Sequence, residues 1–217
     1  RKNPKKEKFG VYWNDWSTYS AEIDCYDIHK ILSDSLLKKN LEIGASKLEL
    51  FRMGKLKAKE VFNLEKLATF YAVCDLFGSR HASEFSNLRY YFNNKTKLLE
   101  SIGYDANGLY KNDLLFAQEL KFYGSSSYGG KRFEHRLNWL LLDIDFLKTY
   151  HAKIVQMSNK EYLDSILAMS KDEFKKKKEI EKVIGFDWET LYTNQKIMLA
   201  ALDLTDAVQF NIVENDK

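Results

Sequence analysis

For most of its length the chain carries a helical rhythm of apolar positions, interrupted once by a stretch of period two. In "DIHKILSDSLLKK", Ile28, Ile31, Leu32, Leu36 and Leu37 fall on one helical stripe. Two further helices are expected in "GASKLELFRMGKLKAKEVFNLEKLATFYAVCDLFG". The first covers Lys47 to about Met53 and stops near Gly54. The second has Asn63 as its N-cap, ends at Gly78 and buries Leu64, Leu67, Ala68, Tyr71 and Leu76. The period then changes. In "NLRYYFNNKTKLLESIGYD", Leu88, Tyr90 and Phe92 alternate with Arg89 and Tyr91, and a second extended run ends at Tyr104. This pattern predicts a β-hairpin turning at Asn93-Asn94, because Asn tolerates left-handed backbone.

Beyond the hairpin, "NDLLFAQELKFYG" reads as a short helix capped by Asn112 or Asp113, and "GSSSYGGKRF" as a flexible loop. Helices are expected to dominate from Glu134 onward. Ser158 to Glu161 and Ser170 to Glu173 match the capping-box spacing. "KDEFKKKKEIEKVIG" reads as a charged helix closed by Gly185, with "KKKK" on a solvated face, and "NQKIMLAALDLTDAV" as a final amphipathic helix. Pro4 is the sole proline, which favours a mostly helical body since proline breaks helix interiors. The expected fold class is α+β, predominantly α-helical with one β-hairpin. Residues 1–8, "RKNPKKEK", read as a basic flexible lead-in and 9–217 as one domain, with the aromatic "FGVYWNDW" as a strand or an irregular packed segment.

Composition narrows the function classes. Of 217 residues, 34 are basic and 31 acidic, a net charge of +3 that is too balanced to argue for nucleic acid. No apolar run approaches the roughly 18 residues of a membrane span; "WLLLDIDFL" is broken by Asp143 and Asp145. The chain begins with Arg1 rather than Met and has no apolar signal region, so it reads as an excised domain of a longer protein. Cys25 and Cys74 support neither a disulfide framework nor a zinc site, and both are expected to be buried free thiols. His29, His135 and His151 stand at unrelated spacings and carry no ligand pattern.

The stretch richest in chemistry runs from Asp75 to Asp105, "DLFGSRHASEFSNLRYYFNNKTKLLESIGYD". A helix ends in Asp75, and a polar loop follows with Arg80, His81, Glu84 and Asn87. The hairpin then returns the chain to Asp105. If Asn87 opens the first strand and Asp105 follows the second, antiparallel pairing sets them side by side. An amide oxygen and a carboxylate at one hairpin end make a small hard-oxygen site suited to magnesium. Taken alone, Asp105 equally suits a turn in "YDANG", and His81 equally suits a structural hydrogen bond. "RYYF" suits core packing on a half-buried strand.

The parts Asp75, Gly78, His81 and "NLRYYFNNKTKLLESIGYDANG", with the helical "FRMGKLKAKEVFNLEKLATFYAVCDLFG" before them, resemble the CotH-type spore-coat protein kinases, in the branch found in large bacterial surface or secreted proteins. The resemblance covers about residues 48–108. It implies a protein-kinase-like C-terminal lobe that transfers the ATP γ-phosphoryl group to protein Ser/Thr hydroxyls with Mg²⁺. It further implies Asn87 and Asp105 as metal ligands, and Asp75 as counterpart of the catalytic-loop acid, with Arg80 and His81 shaping that loop. Asp75 precedes Asn87 by twelve residues, a longer spacing than in ordinary kinases, which makes Glu84 a second candidate acid. The usual H-R-D-x-x-x-x-N and D-F-G words are absent, and no glycine-rich loop or strand lysine precedes the helices. The nucleotide-covering lobe is therefore expected upstream of Arg1, leaving this piece with weak or no nucleotide affinity of its own. "GSSSYGGKRF" lacks the Walker pattern but falls after the metal aspartate. That position makes Lys131 and Arg132 candidates for cofactor binding or for contacting an acidic or phosphorylated partner. The resemblance places the parent protein at the cell surface or outside the cell. The competing expectation is a non-catalytic, pseudokinase-like interaction module that keeps the lobe without the enzyme.

Overall fold

A computed structural model describes residues 23–83, 87–106, 109–112, 115–116, 138–169 and 188–202. The expectations for residues 1–8 and 9–16, "GSSSYGGKRF", the Ser170–Glu173 box and the "KKKK" helix lie outside them, as do most of "NDLLFAQELKFYG" and the end of the last helix. The described elements are α1 (Ile28–Ser33), α2 (Ser35–Arg52), α3 (Ala58–Val61), α4 (Leu64–Phe77), α5 (Arg80–Ser83), β1 (Arg89–Asn93), β2 (Leu98–Ile102), α6 (Asn138–Leu142), α7 (Ile144–Ser158), α8 (Lys160–Met169) and α9 (Trp188–Ala201). The described residues are thus mostly helical with one two-stranded antiparallel sheet, the α+β class expected. None of the described helices is long and apolar enough to cross a membrane.

Contacts among the described residues group into two units. The first holds those up to Leu67, the hairpin Arg89–Ile102, and α6 with the start of α7 to Leu147. Its apolar centre joins Phe51, Phe62 and Tyr90, with Phe51 edge-on to Phe62 at 5.1 Å and Phe62 tilted on Tyr90 at 5.3 Å. Gly44, inside α2, faces the hairpin: a Cβ there would come within 3.2 Å of the Phe92 ring. This close approach accounts for a glycine inside α2, which starts at Ser35 rather than at the expected Lys47. The Asp143 carboxylate holds two helix starts. Oδ1 accepts from the Asp145 and Phe146 amides opening α7, and Oδ2 accepts from the Ala58 amide opening α3 at 2.8 Å.

Several local expectations are met in detail. Asn63 Oδ1 accepts from Lys66 N–H at 3.2 Å, the N-cap predicted for α4. Gly54 and Gly78 take the positive φ of helix-ending glycines, 67° and 63°. Others are corrected. The stripe over residues 28–37 is two helices, because Asp34 leaves the helical conformation and caps α2 through Leu36 and Leu37 N–H. Ile28, Leu32 and Leu36 on that stripe are exposed rather than packed. In the hairpin the left-handed residue is Lys97, at φ 57°, and not an asparagine. Asn93 acts through its side chain instead, its oxygen accepting from Lys95 and Thr96 N–H. Asn159, not Ser158, caps α8 by accepting from Glu161 N–H; the Ser158 hydroxyl donates back to Val155. Cys74 is buried, but Cys25 is only partly covered.

The second unit holds most of α4, the loop to Leu88, Gly103–Phe116 and the described residues from Lys148 on. Tyr71 is fully buried there and stacks on Phe116 with ring centroids 4.0 Å apart; Phe116 in turn meets Tyr150 edge-on.

Candidate functional site

Three of the residues singled out from the sequence meet in the second unit. The strands pair Arg89 with Ile102, so the open end of the hairpin brings Asn87 and Asp105 out at the same edge. Between them stands His81, on the single helical turn α5. His81 Nδ1 lies 3.1 Å from Asp105 Oδ2, and both side chains are about half exposed. Asp105 adopts φ 51°, a left-handed conformation that an aspartate tolerates better than most residues.

The hydrogen-bond chemistry fixes roles within this trio. The Asn87 side-chain nitrogen is 3.1 and 3.4 Å from the two ring nitrogens of His81. A donor aligned with one lone pair would stand far from the other nitrogen, so this amide lies over the ring face. Its directed bond goes to the His81 carbonyl, at 2.8 Å. The Asp105 carboxylate stands at ion-pair distance from Nδ1. With the Asn87 NH₂ facing its own loop, the amide oxygen is the atom it can offer to a cation. Asn87 itself is mostly buried, so the loop holds it in place.

Asp75 is placed differently. It is only 5 % exposed and points into the unit. One carboxylate oxygen accepts from Phe116 N–H at 2.8 Å, and the other accepts from the Tyr150 hydroxyl. Asn112 donates its side-chain N–H to the Asp75 carbonyl, which ties it to the end of α4. Asn194 is completely buried: its NH₂ reaches the carbonyls of Leu76 and Tyr110, and its oxygen accepts from Asn112 N–H. Gly78 lies so close to Tyr110 that a Cβ would fall 2.0 Å from its carbonyl oxygen. Together these contacts bind Tyr110, Asn112 and Phe116 to the end of α4. Beside Asp75, burial, reinforced by that negative carboxylate, pushes the Cys74 thiol up to about 12.

Sequence reasoning did not find Tyr150 or Asn194, and it named Asn112 only as a helix cap. A signal for Asn194 existed in "NQKIMLAA", where adjacent amides precede an apolar run; both prove buried, Gln195 donating to the Met157 and Asn159 carbonyls. Arg80 lies at the start of α5. Glu84, Lys131 and Arg132 lie outside the described residues. Among the described residues no three His, Cys, Asp or Glu side chains gather as a metal-binding group, so the trio holds two such groups plus an amide. His29 and His151 are exposed. No protein-family model matches the chain, and neither the curated proteins nor the solved structures include a significant match to it.

Proposed function

We propose that the chain is a kinase-like lobe of the CotH type, in which Asn87 and Asp105 hold a divalent cation against the phosphates of ATP for transfer to a protein serine or threonine. The observation that carries this reading is the convergence of both residues on one imidazole at the open end of the hairpin. Their donor set fits the ion: a carboxylate and an amide oxygen are hard ligands of the kind Mg²⁺ accepts. Such an ion, when bound, neutralises phosphate charge and aligns the transferred group. The chain's own residues supply position. His81 holds Asp105 through Nδ1, its backbone carbonyl holds Asn87, and Asp75 anchors the segment after Asp105 through Phe116. Asp75 is thus read as a positioning acid rather than the group that meets the acceptor hydroxyl.

Magnesium and ATP titration of the full-length protein, followed by thermal unfolding, tests the reading. A ligand at a hundredfold excess over Kd adds about 2.7 kcal/mol. Asp105→Ala is expected to remove both that gain and phosphate transfer; a gain that survives the substitution defeats the assignment. The inward commitment of Asp75 favours the second reading, a non-catalytic interaction module, because it takes the expected catalytic acid out of the site. That module would show no ligand-dependent gain in the unsubstituted protein.

A further inference from the structure

The cation site proposed above contains one group that a magnesium site does not call for. We infer that His81 is itself a ligand, and that the site selects a first-row transition ion such as Mn²⁺ over Mg²⁺. The inference rests on the cation-binding reading and specifies its metal.

Spacing permits this and chemistry points to it. Neighbouring ligands of an octahedral ion lie √2 bond lengths apart. The 3.1 Å between His81 Nδ1 and Asp105 Oδ2 is a span that two such ligands can take. An ion entering beside them takes the place of the Nδ1 proton, which leaves to solvent, and the imidazole turns to aim its lone pair at the ion. Imidazole nitrogen is a borderline donor that transition ions accept, whereas Mg²⁺ seeks oxygen and gives up water reluctantly. Access is open, since the two side chains are 47 % and 37 % exposed and a hydrated ion can keep its remaining waters. Asn87 completes the set from the adjoining loop, its NH₂ fixed by the His81 carbonyl and its oxygen left as donor. The same backbone turn thus sets two of the three ligands relative to one another.

The test uses the 217-residue chain and metal chloride alone, with no nucleotide. Free Mn²⁺ is followed by electron paramagnetic resonance, Mg²⁺ affinity is obtained by competition, and spin-echo modulation of the bound Mn²⁺ reports directly coupled imidazole nitrogen. The expected result is tighter binding of Mn²⁺ than of Mg²⁺, with ¹⁴N modulation. His81→Ala should weaken Mn²⁺ by about tenfold or more, abolish the modulation and weaken Mg²⁺ less, so that the preference for Mn²⁺ is lost. Circular dichroism confirms folding of the variant, which removes a half-exposed ring. Equal affinities for the two ions, or Mn²⁺ affinity unchanged or raised in His81→Ala, would overturn the inference; a rise would make His81 a group the cation has to displace. If those outcomes come with loss of both ions in Asp105→Asn, only the choice of metal has failed. If Asp105→Asn changes neither ion, the cation reading itself has failed.

Discussion

Asp75 and Asp105 are thirty residues apart in sequence, both polar breaks beside apolar segments, yet the fold treats them in opposite ways. Asp75 is sunk in the second unit with its carboxylate met by a backbone amide and a tyrosine hydroxyl. Asp105 sits half exposed on strained left-handed backbone, facing a histidine. An acid held in the interior by a backbone amide and a tyrosine hydroxyl is an anchor. An acid that keeps water and a titratable neighbour can exchange partners, which ligand binding requires. The difference lies in who donates to the carboxylate, not in the carboxylate.

The sharpest way to break this contrast is to delete both. Asp75→Ala leaves Phe116 N–H and the Tyr150 hydroxyl without their buried acceptor, a loss of roughly 2–6 kcal/mol in denaturant unfolding at about 1–3 kcal/mol per stranded group. Asp105→Ala is expected to cost about 1 kcal/mol, chiefly because alanine resists positive φ, and Asp105→Asn close to nothing. If the two positions cost the same, anchor and ligand are not distinct roles. A related pair of glycines gives the next largest effect. Gly78→Ala combines positive φ with a Cβ on top of the Tyr110 carbonyl, so the bound segment must shift, at a cost of about 2–4 kcal/mol. Gly44→Ala meets only the edge of the Phe92 ring at 3.2 Å, and the ~1 kcal/mol of helix propensity gained offsets much of that contact.

What the sequence made legible follows the reach of each interaction. The hairpin was readable because strand alternation is local, and so was α4, whose Asn63 cap and Gly78 terminus lie at its own ends. The meeting of Asn87 with Asp105 followed from hairpin register, though His81 as the group between them did not. The burial of Asp75 was not legible, because its hydroxyl partner, Tyr150, stands 75 residues downstream. Asn194 was missed for the same reason, being 118 residues from the Leu76 carbonyl it serves. Burial of a polar residue is decided by partners that no short window contains.

A third carboxylate extends the comparison into the hairpin unit. Glu100 is buried like Asp75, and a cation is among its partners: the Lys66 ammonium first, then the Asn93 amide, hold its carboxyl below the usual range. A folded-state value below the unfolded one contributes stability above the unfolded pKa, and this contribution is lost as pH falls through the folded one. Unfolding measured from neutral pH down through the carboxylate range should show that loss. Lys66→Met should remove most of it, while Tyr150→Phe should leave it in place.

The smallest expected effect asks whether Asp75 carries its charge inside the fold, on which its role as an anchor depends. Cys74 is the reporter. Its thiol is raised to about 12 by burial and, second, by the neighbouring carboxylate. In a Cys25→Ser background, alkylation at pH 9 should therefore barely touch Cys74 in the native state, because so little thiolate is present. Asp75→Asn removes the negative charge and keeps the side chain's size, so the thiolate fraction should rise and alkylation quicken a few-fold. Tyr150→Phe separates charge from loosening: it disturbs the same hydrogen bond but leaves the carboxylate ionised, and should not quicken the reaction to the same degree. Equal acceleration in both variants would mean that opening, not charge, controls the thiol. Asp75 would then be a neutral acid in the interior, and the contrast with Asp105 would rest on protonation as well as placement.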